Sequence, residues 1–165
     1  MIRAEAITDG ETVLAAIDVP VAPQRAFDAL TSAEVETWWG APGLYGMRNW
    51  RSDMRVGGRW TVEVHVPGGG VHPAGGEYLI VDAPRRVTLS RQYRWDHPTL
   101  GRQVTRVTYR FEPIEGGTRV TVRHDEFGSP AAAQEHATGW ARTLDLLCGY
   151  LIESAGDLDL LSGWD

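Results

Sequence analysis

The chain has 165 residues, 42% hydrophobic and 23% charged, with a formal net charge of -6. That length suits one domain, able to bury roughly 70% of its unfolded surface with no disulfide or metal to hold it. The acid excess argues against nucleic acid and anionic membranes as partners, since both need clustered cations.

Residues 1–10 carry no long apolar run and include Glu5 and Asp9, so neither a signal peptide nor a membrane anchor is expected, and the expected compartment is the cytoplasm. The first predicted strand is Thr12–Val19. Pro20 and Pro23 end it, and Pro23 suits the first turn of a helix whose Ala26, Phe27 and Leu30 share a face. Thr31 with Glu34 has the spacing of a capping box for a second short helix, which runs into Trp38-Trp39 and stops at Gly40-Ala41-Pro42-Gly43.

From about Asn49 to Glu126 the period changes to two. Trp60, Val62, Val64 and Val66 alternate with polar partners, as do Val87, Leu89, Tyr93 and Trp95, then Thr105, Val107, Tyr109 and Phe111, then Val120, Val122 and His124. Arg91 interrupts its apolar row. Such alternation marks an antiparallel sheet with one buried and one wet face. Gly57-Gly58, Asp82-Ala83-Pro84 and Glu115-Gly116-Gly117 read as hairpin turns. Gly76–Val81 is a short strand, while Pro67–Gly75 and Asp96–Gly101 read as rim loops.

Ser129 as N-cap and Pro130 at the first position open a last helix of about 20 residues. Its stripe of Ala137, Trp140, Ala141, Leu144, Leu147, Cys148 and Leu151 needs an apolar surface to cover, and the inner sheet face is the one large enough. Cys148, the single cysteine, is expected as a buried thiol. Leu146 and Tyr150 form a second stripe. A tail after the domain (residues 154–165) adds Leu158, Leu160, Leu161 and Trp164, which either folds back on that stripe or forms with it a partner interface such as a homodimer.

The fold class is therefore α+β: a curved antiparallel sheet of about six to seven strands, two short helices and a long C-terminal helix, in one domain over residues 1–153. That order resembles the START-like, or SRPBCC, superfamily and its helix-grip fold. The local motifs are similar to its AHSA branch, named for activators of the 90-kDa heat-shock protein ATPase. They are the strand-to-helix passage Val19–Leu30, the aromatic segment Glu36-Thr37-Trp38-Trp39-Gly40, Val56-Gly57-Gly58-Arg59-Trp60, Gly76-Glu77-Tyr78-Leu79-Ile80, Asp82–Val87, Gly117–Val122 and Gly139–Leu144. The resemblance spans about Ala15 to Ile152. It implies the fold and leaves open ligand carriage, cyclase or hydrolase chemistry, and co-chaperone action.

The residues themselves favour a ligand site. The five histidines stand singly, with no metal-ligand spacing, no nucleophile elbow and no phosphate-cradling Gly loop, so no metal, cofactor or catalytic set is assigned. His136 is expected to be exposed, and His72 and His97 to sit in loops. His124 shares the parity of Val120 and Val122, which suits a hydrogen-bonded core histidine better than a proton shuttle.

The aromatics are the stronger signal, because Trp and Tyr suit pocket walls with an apolar body and one polar tip. Trp39, Trp60, Tyr78, Tyr93, Trp95, Tyr109, Phe111, His124, Trp140 and Leu144 form the expected ligand-binding set for a small hydrophobic or aromatic molecule. Of the adjacent tryptophans, one is expected to anchor the short helices and Trp39 to line the pocket. Arg59, Glu63, Arg91 and Glu126 are candidate polar contacts at the pocket or its mouth, with surface salt bridges the default expectation for each. The alternatives are an enzyme using His124, Tyr109 or Tyr93 as acid–base groups, and a protein-interaction module using the second stripe and tail.

Overall fold

Every predicted run of alternating residues enters one antiparallel sheet in the computed structural model, which describes residues 3–162, with side chains through residue 155. The elements are β1 (Glu5–Asp9), β2 (Thr12–Val19), α1 (Pro23–Thr31), α2 (Val35–Trp38), β3 (Gly40–Ala41), β4 (Tyr45–Ser52), β5 (Arg59–Val66), β6 (Gly70–Asp82), β7 (Arg86–Tyr93), β8 (Thr105–Ile114), β9 (Gly117–Asp125) and α3 (Pro130–Ser162). The nine strands lie in the order β1-β2-β9-β8-β7-β6-β5-β4-β3, so β3 to β9 form a meander and β2 closes against β9.

Nine strands exceed the six to seven expected. The additions are at the edges, where burial on one face is slight. β1 is almost wholly exposed, β3 has two residues, and β4 buries only Met47. Strands that cover nothing need no period-two pattern, which is the signal that was read. The Pro67–Gly75 loop also shrinks to a turn, because Val71, His72 and Pro73 pair with His65, Val64 and Glu63 and extend β6 back to Gly70.

The inward face of the sheet supplies most of the core: Val13, Ile17, Trp60, Tyr78, Leu89, Tyr109, Phe111, Val120 and Val122 are all buried. α1 seats Phe27 edge-on against Phe111, 5.3 Å between centroids. α3 lays Trp140, Leu144, Leu147 and Leu151 on this layer. Its start is capped as expected, with the Ser129 hydroxyl accepting from the Ala132 amide at 3.2 Å. The helix is longer than predicted, 33 residues rather than about 20, since no proline or β-branched run stops it after Ser154. The tail side chains of Leu158, Leu160, Leu161 and Trp164 lie outside the described residues.

Two local readings are corrected. The capping box does not form: Thr31 donates back to the Phe27 carbonyl at 2.6 Å, and Glu34 turns to Arg25 at 2.8 Å and to the Tyr150 hydroxyl. In its place the Ser32 hydroxyl accepts from the Glu34 amide. The second helical stripe is consequently no open surface at Tyr150, whose ring stacks 6.5 Å from Trp38 beneath the Arg25 guanidinium. No helix among the described residues is long and apolar enough to cross a membrane.

Gly76 shows how tightly β6 and β7 are joined. A Cβ there would stand 1.8 Å from the Ser90 carbonyl oxygen. Gly149, exposed on α3, has nothing within 4 Å. Urea unfolding should therefore separate two chemically identical changes. Gly76→Ala is expected to cost about 3 kcal/mol by overpacking, and Gly149→Ala to gain about 0.8 kcal/mol of helix propensity. Equal effects would mean that the β6–β7 approach is looser than described.

Candidate functional site: an aromatic cleft between sheet and helix

Strand parity aims Leu89, Arg91 and Tyr93 of β7 at the same face as Trp60, Val62 and Val64 of β5. α2 and α3 bring Trp39 and Trp140 over them. Two spaces result. An inner cavity, walled by Leu30, Val35, Trp50, Trp60, Tyr78 and Tyr109, has a volume of about 30 Å³, room for a water or two. An outer cleft of about 390 Å³ opens beside α3. Trp39, Met47 and Arg91 line both, and so form the partition between them.

Trp38 is the anchor of the tryptophan pair: it is buried and donates from Nε1 to the Ala29 carbonyl at 2.8 Å. Trp39 is half-buried, stacked 5.4 Å from Trp38 and tilted against Trp140 at 5.8 Å. Trp60 stacks on Trp50 at 5.8 Å and donates to the Ser90 carbonyl at 3.0 Å. Tyr78 shares a 2.6 Å hydrogen bond with Ser52, and burial pushes its phenol up. Burial raises Tyr109 much further, with Arg91 opposing, so both phenols keep their protons.

His124 is 1% exposed and both its ring nitrogens are engaged. Trp140 Nε1 donates to Nδ1 at 3.0 Å, which leaves the ring proton on Nε2, 2.7 Å from Thr105 Oγ1. The Thr105 hydroxyl passes its own proton to the Arg91 carbonyl at 3.1 Å. Burial, helped by the positive charges of Arg91 and a protonated His136, holds His124 well below the usual histidine range. It is a neutral structural link behind the cleft wall, with no nitrogen left for a substrate.

The histidines that sequence spacing scattered are gathered here. His136, expected exposed, is half-buried: Nδ1 donates to the Ala132 carbonyl at 2.9 Å and Nε2 accepts from the Tyr93 hydroxyl at 3.1 Å. Burial drives it down to about 4, against the Ala132 hydrogen bond, which raises it. His97 stacks on Tyr93 at 4.4 Å, and its Nδ1 accepts from the Leu100 amide at 3.2 Å. Burial lowers it too, against the pull of Glu135. His72, on β6 rather than in a loop, lies 4.3 Å from Trp95. Among the described residues no three His, Cys, Asp or Glu side chains are placed to hold a metal ion.

Of the ten expected ligand-binding residues, Trp60, Tyr78 and Tyr109 face the inner cavity, Tyr93, Trp95 and Trp140 face the cleft, and Trp39 faces both. Three do not reach either space. Phe111 is core against Phe27, Leu144 is core under α3, and His124 lies behind Trp140. Of the four charged residues assigned to the surface, Glu63 and Glu126 do pair there, with His65 and Arg106, and Arg59 is exposed. Arg91 is the exception. It points into the cleft because its parity is that of Leu89 and Tyr93, so its break in the apolar row was the available signal. Met47 and Trp50 were missed because β4 has no clear alternation.

The sequence model of the family described as "Activator of Hsp90 ATPase homolog 1-like protein" matches residues 20–151. Solved structures share the fold. A protein of Rhodobacter sphaeroides aligns with a TM-score of 0.78 at 22% identity, over 92% of this chain and 99% of that one. One from Chromobacterium violaceum gives 0.72 at 19%, over 86% and 97%. One from Staphylococcus epidermidis gives 0.71 at 22%, over 90% and 94%. No curated protein sequence matches the chain.

The depressed histidines set an acid limit on stability. A histidine at 6.5 when unfolded and about 4 when folded binds more protons in the unfolded chain. Its contribution is therefore complete above pH 6.5 and is lost as pH falls toward 4. Denaturation midpoints should decline across that window, beginning well above the carboxylate range. His136→Gln should flatten the decline. A profile unchanged by that substitution would place the histidine in solvent.

Proposed function

The chain belongs to the activator of Hsp90 ATPase homolog 1-like family, and on that premise we propose that it binds a small, largely apolar molecule in the cleft beside α3. The observation that carries this reading is the cleft itself: about 390 Å³, walled by Trp39, Tyr93, Trp95 and Trp140. Sites of this kind are concave, mainly apolar and few per protein. The small inner cavity supports the same reading. Turning Trp39 or Met47 aside would join it to the cleft and lengthen the space for an elongated ligand.

A binding role fits better than turnover because both nitrogens of His136 and Nδ1 of His97 are committed. His136 is held on both sides, and His97 holds two backbone amides. One pair keeps acid–base chemistry as a second reading, the Tyr93 hydroxyl on neutral His136, which faces the cleft. It lacks a second polar group converging on a common point, as a reacting atom would require. The co-chaperone alternative keeps the family description, while Tyr150 of the second stripe packs on Trp38 and the tail side chains lie outside the described residues.

Gly139 gives a test that leaves the wall residues intact. It lines the cleft from α3, and an added side chain would enter open space. Gly139→Leu is expected to fold at least as stably as the parent, because leucine favours helix more than glycine. It should weaken binding of the neutral fluorescent probe N-phenyl-1-naphthylamine by about tenfold or more, as the cleft fills. Undiminished binding by a well-folded variant would move the site elsewhere.

A further inference from the structure

The cleft is positively charged in an acidic protein. The chain has 22 Asp and Glu against 16 Arg, yet the charged residues around the cleft are Arg91 and Arg142, with no carboxylate. Arg91 is the central member. None of its side-chain nitrogens donates a hydrogen bond to another described residue, and no described carboxylate lies within ion-pairing distance. Rings hold it instead. Its guanidinium carbon lies 5.6 Å from the Tyr93 centroid and 5.9 Å from those of Trp39 and Trp140.

Burying a cation without a counter-charge is costly, and stacking on aromatic faces offsets only part of that cost. Arg91 Nε and Trp95 Nε1 are the two buried side-chain polar atoms that lack a partner among the described residues, and both belong to residues of this cleft. Both are donors. Unsatisfied buried polar groups are rare enough that two in one cleft, of the same sense, call for an acceptor.

Resting on the reading that the cleft is a ligand site, we infer that its ligand is an aromatic carboxylate, with the ring in the cleft walled by Tyr93, Trp95 and Trp140 and the carboxylate on the Arg91 guanidinium. The planar fork of arginine matches a carboxylate with two parallel hydrogen bonds. The stacked rings fix the fork in place, so little side-chain freedom is lost on binding. Exposed Arg142 adds attraction at the mouth.

The test needs two probes of one shape, 2-naphthoate and 2-naphthamide, titrated into the intact protein at pH 7 by calorimetry. The carboxylate is expected to bind about tenfold or more tightly than the amide, as a charge-assisted pair exceeds a neutral one. Arg91→Gln should abolish that preference. Arg91→Lys should restore part of it, and Trp95→Phe should reduce it less. The wild-type contrast stands without any variant folding. If naphthoate bound no more tightly than naphthamide, or failed to bind, the inference would be overturned. The neutral dye and Gly139→Leu then decide separately whether the cleft binds ligands at all.

Discussion

A single run of hydrogen bonds ties the long helix to the middle of the sheet: Trp140 to His124, His124 to Thr105, and Thr105 to the carbonyl of Arg91. It begins on α3 and crosses β9, β8 and β7 in turn. Apolar packing would let a helix slide or rotate over a curved sheet at small cost, since dispersion has little direction. A buried polar chain does not permit this, because any shift leaves a donor or acceptor unpaired in a low-dielectric interior. The same run fixes the Trp140 ring as a cleft wall and the backbone from which Arg91 projects. Its geometry thus sets both the separation of sheet and helix and the position of the cation between them.

How much of this was legible follows from what each signal measures. Period-two alternation reports burial on one face, so it located β2 and β5 to β9 and passed over β1 and β3, which bury little. The apolar stripe placed α3 on the sheet, but it was followed only to Leu151, eleven residues short of the end at Ser162. Aromatic content pointed to the right region: seven of ten expected residues face the two spaces. It could not separate wall from core, because Phe111 and Tyr109 share one parity on one strand and differ only in how deeply the neighbouring helices cover them. His97 and His136 come together through a loop and a helix start 39 positions apart, a contact no local pattern records. Arg91 was visible as an interruption, and assigning such interruptions to the surface fails where a strand faces a cleft.

The electrostatics of the molecule divide by location rather than by total. Paired charges such as Arg119 with Asp18 and Arg25 with Glu34 lie at or near the surface, where solvent screens them and each contributes little. Arg91, with no carboxylate partner, stands half-buried among the rings of the cleft, where solvent screens it less. Net charge alone therefore describes this protein poorly: its acid excess governs solubility and long-range attraction, while the cleft has the opposite local sign.

The indole pairs have an optical consequence. Trp38 and Trp39 stack at 5.4 Å with 19° between planes, and Trp50 and Trp60 at 5.8 Å with 26°. Chromophores that close and that nearly parallel share their excited states, so light absorbed by one ring is not confined to it. One pair touches the partition and the other backs the inner cavity. The cleft is therefore built beside two coupled oscillators, and any rotation of Trp39 that opened the partition would be written into the near-ultraviolet circular dichroism without an added label.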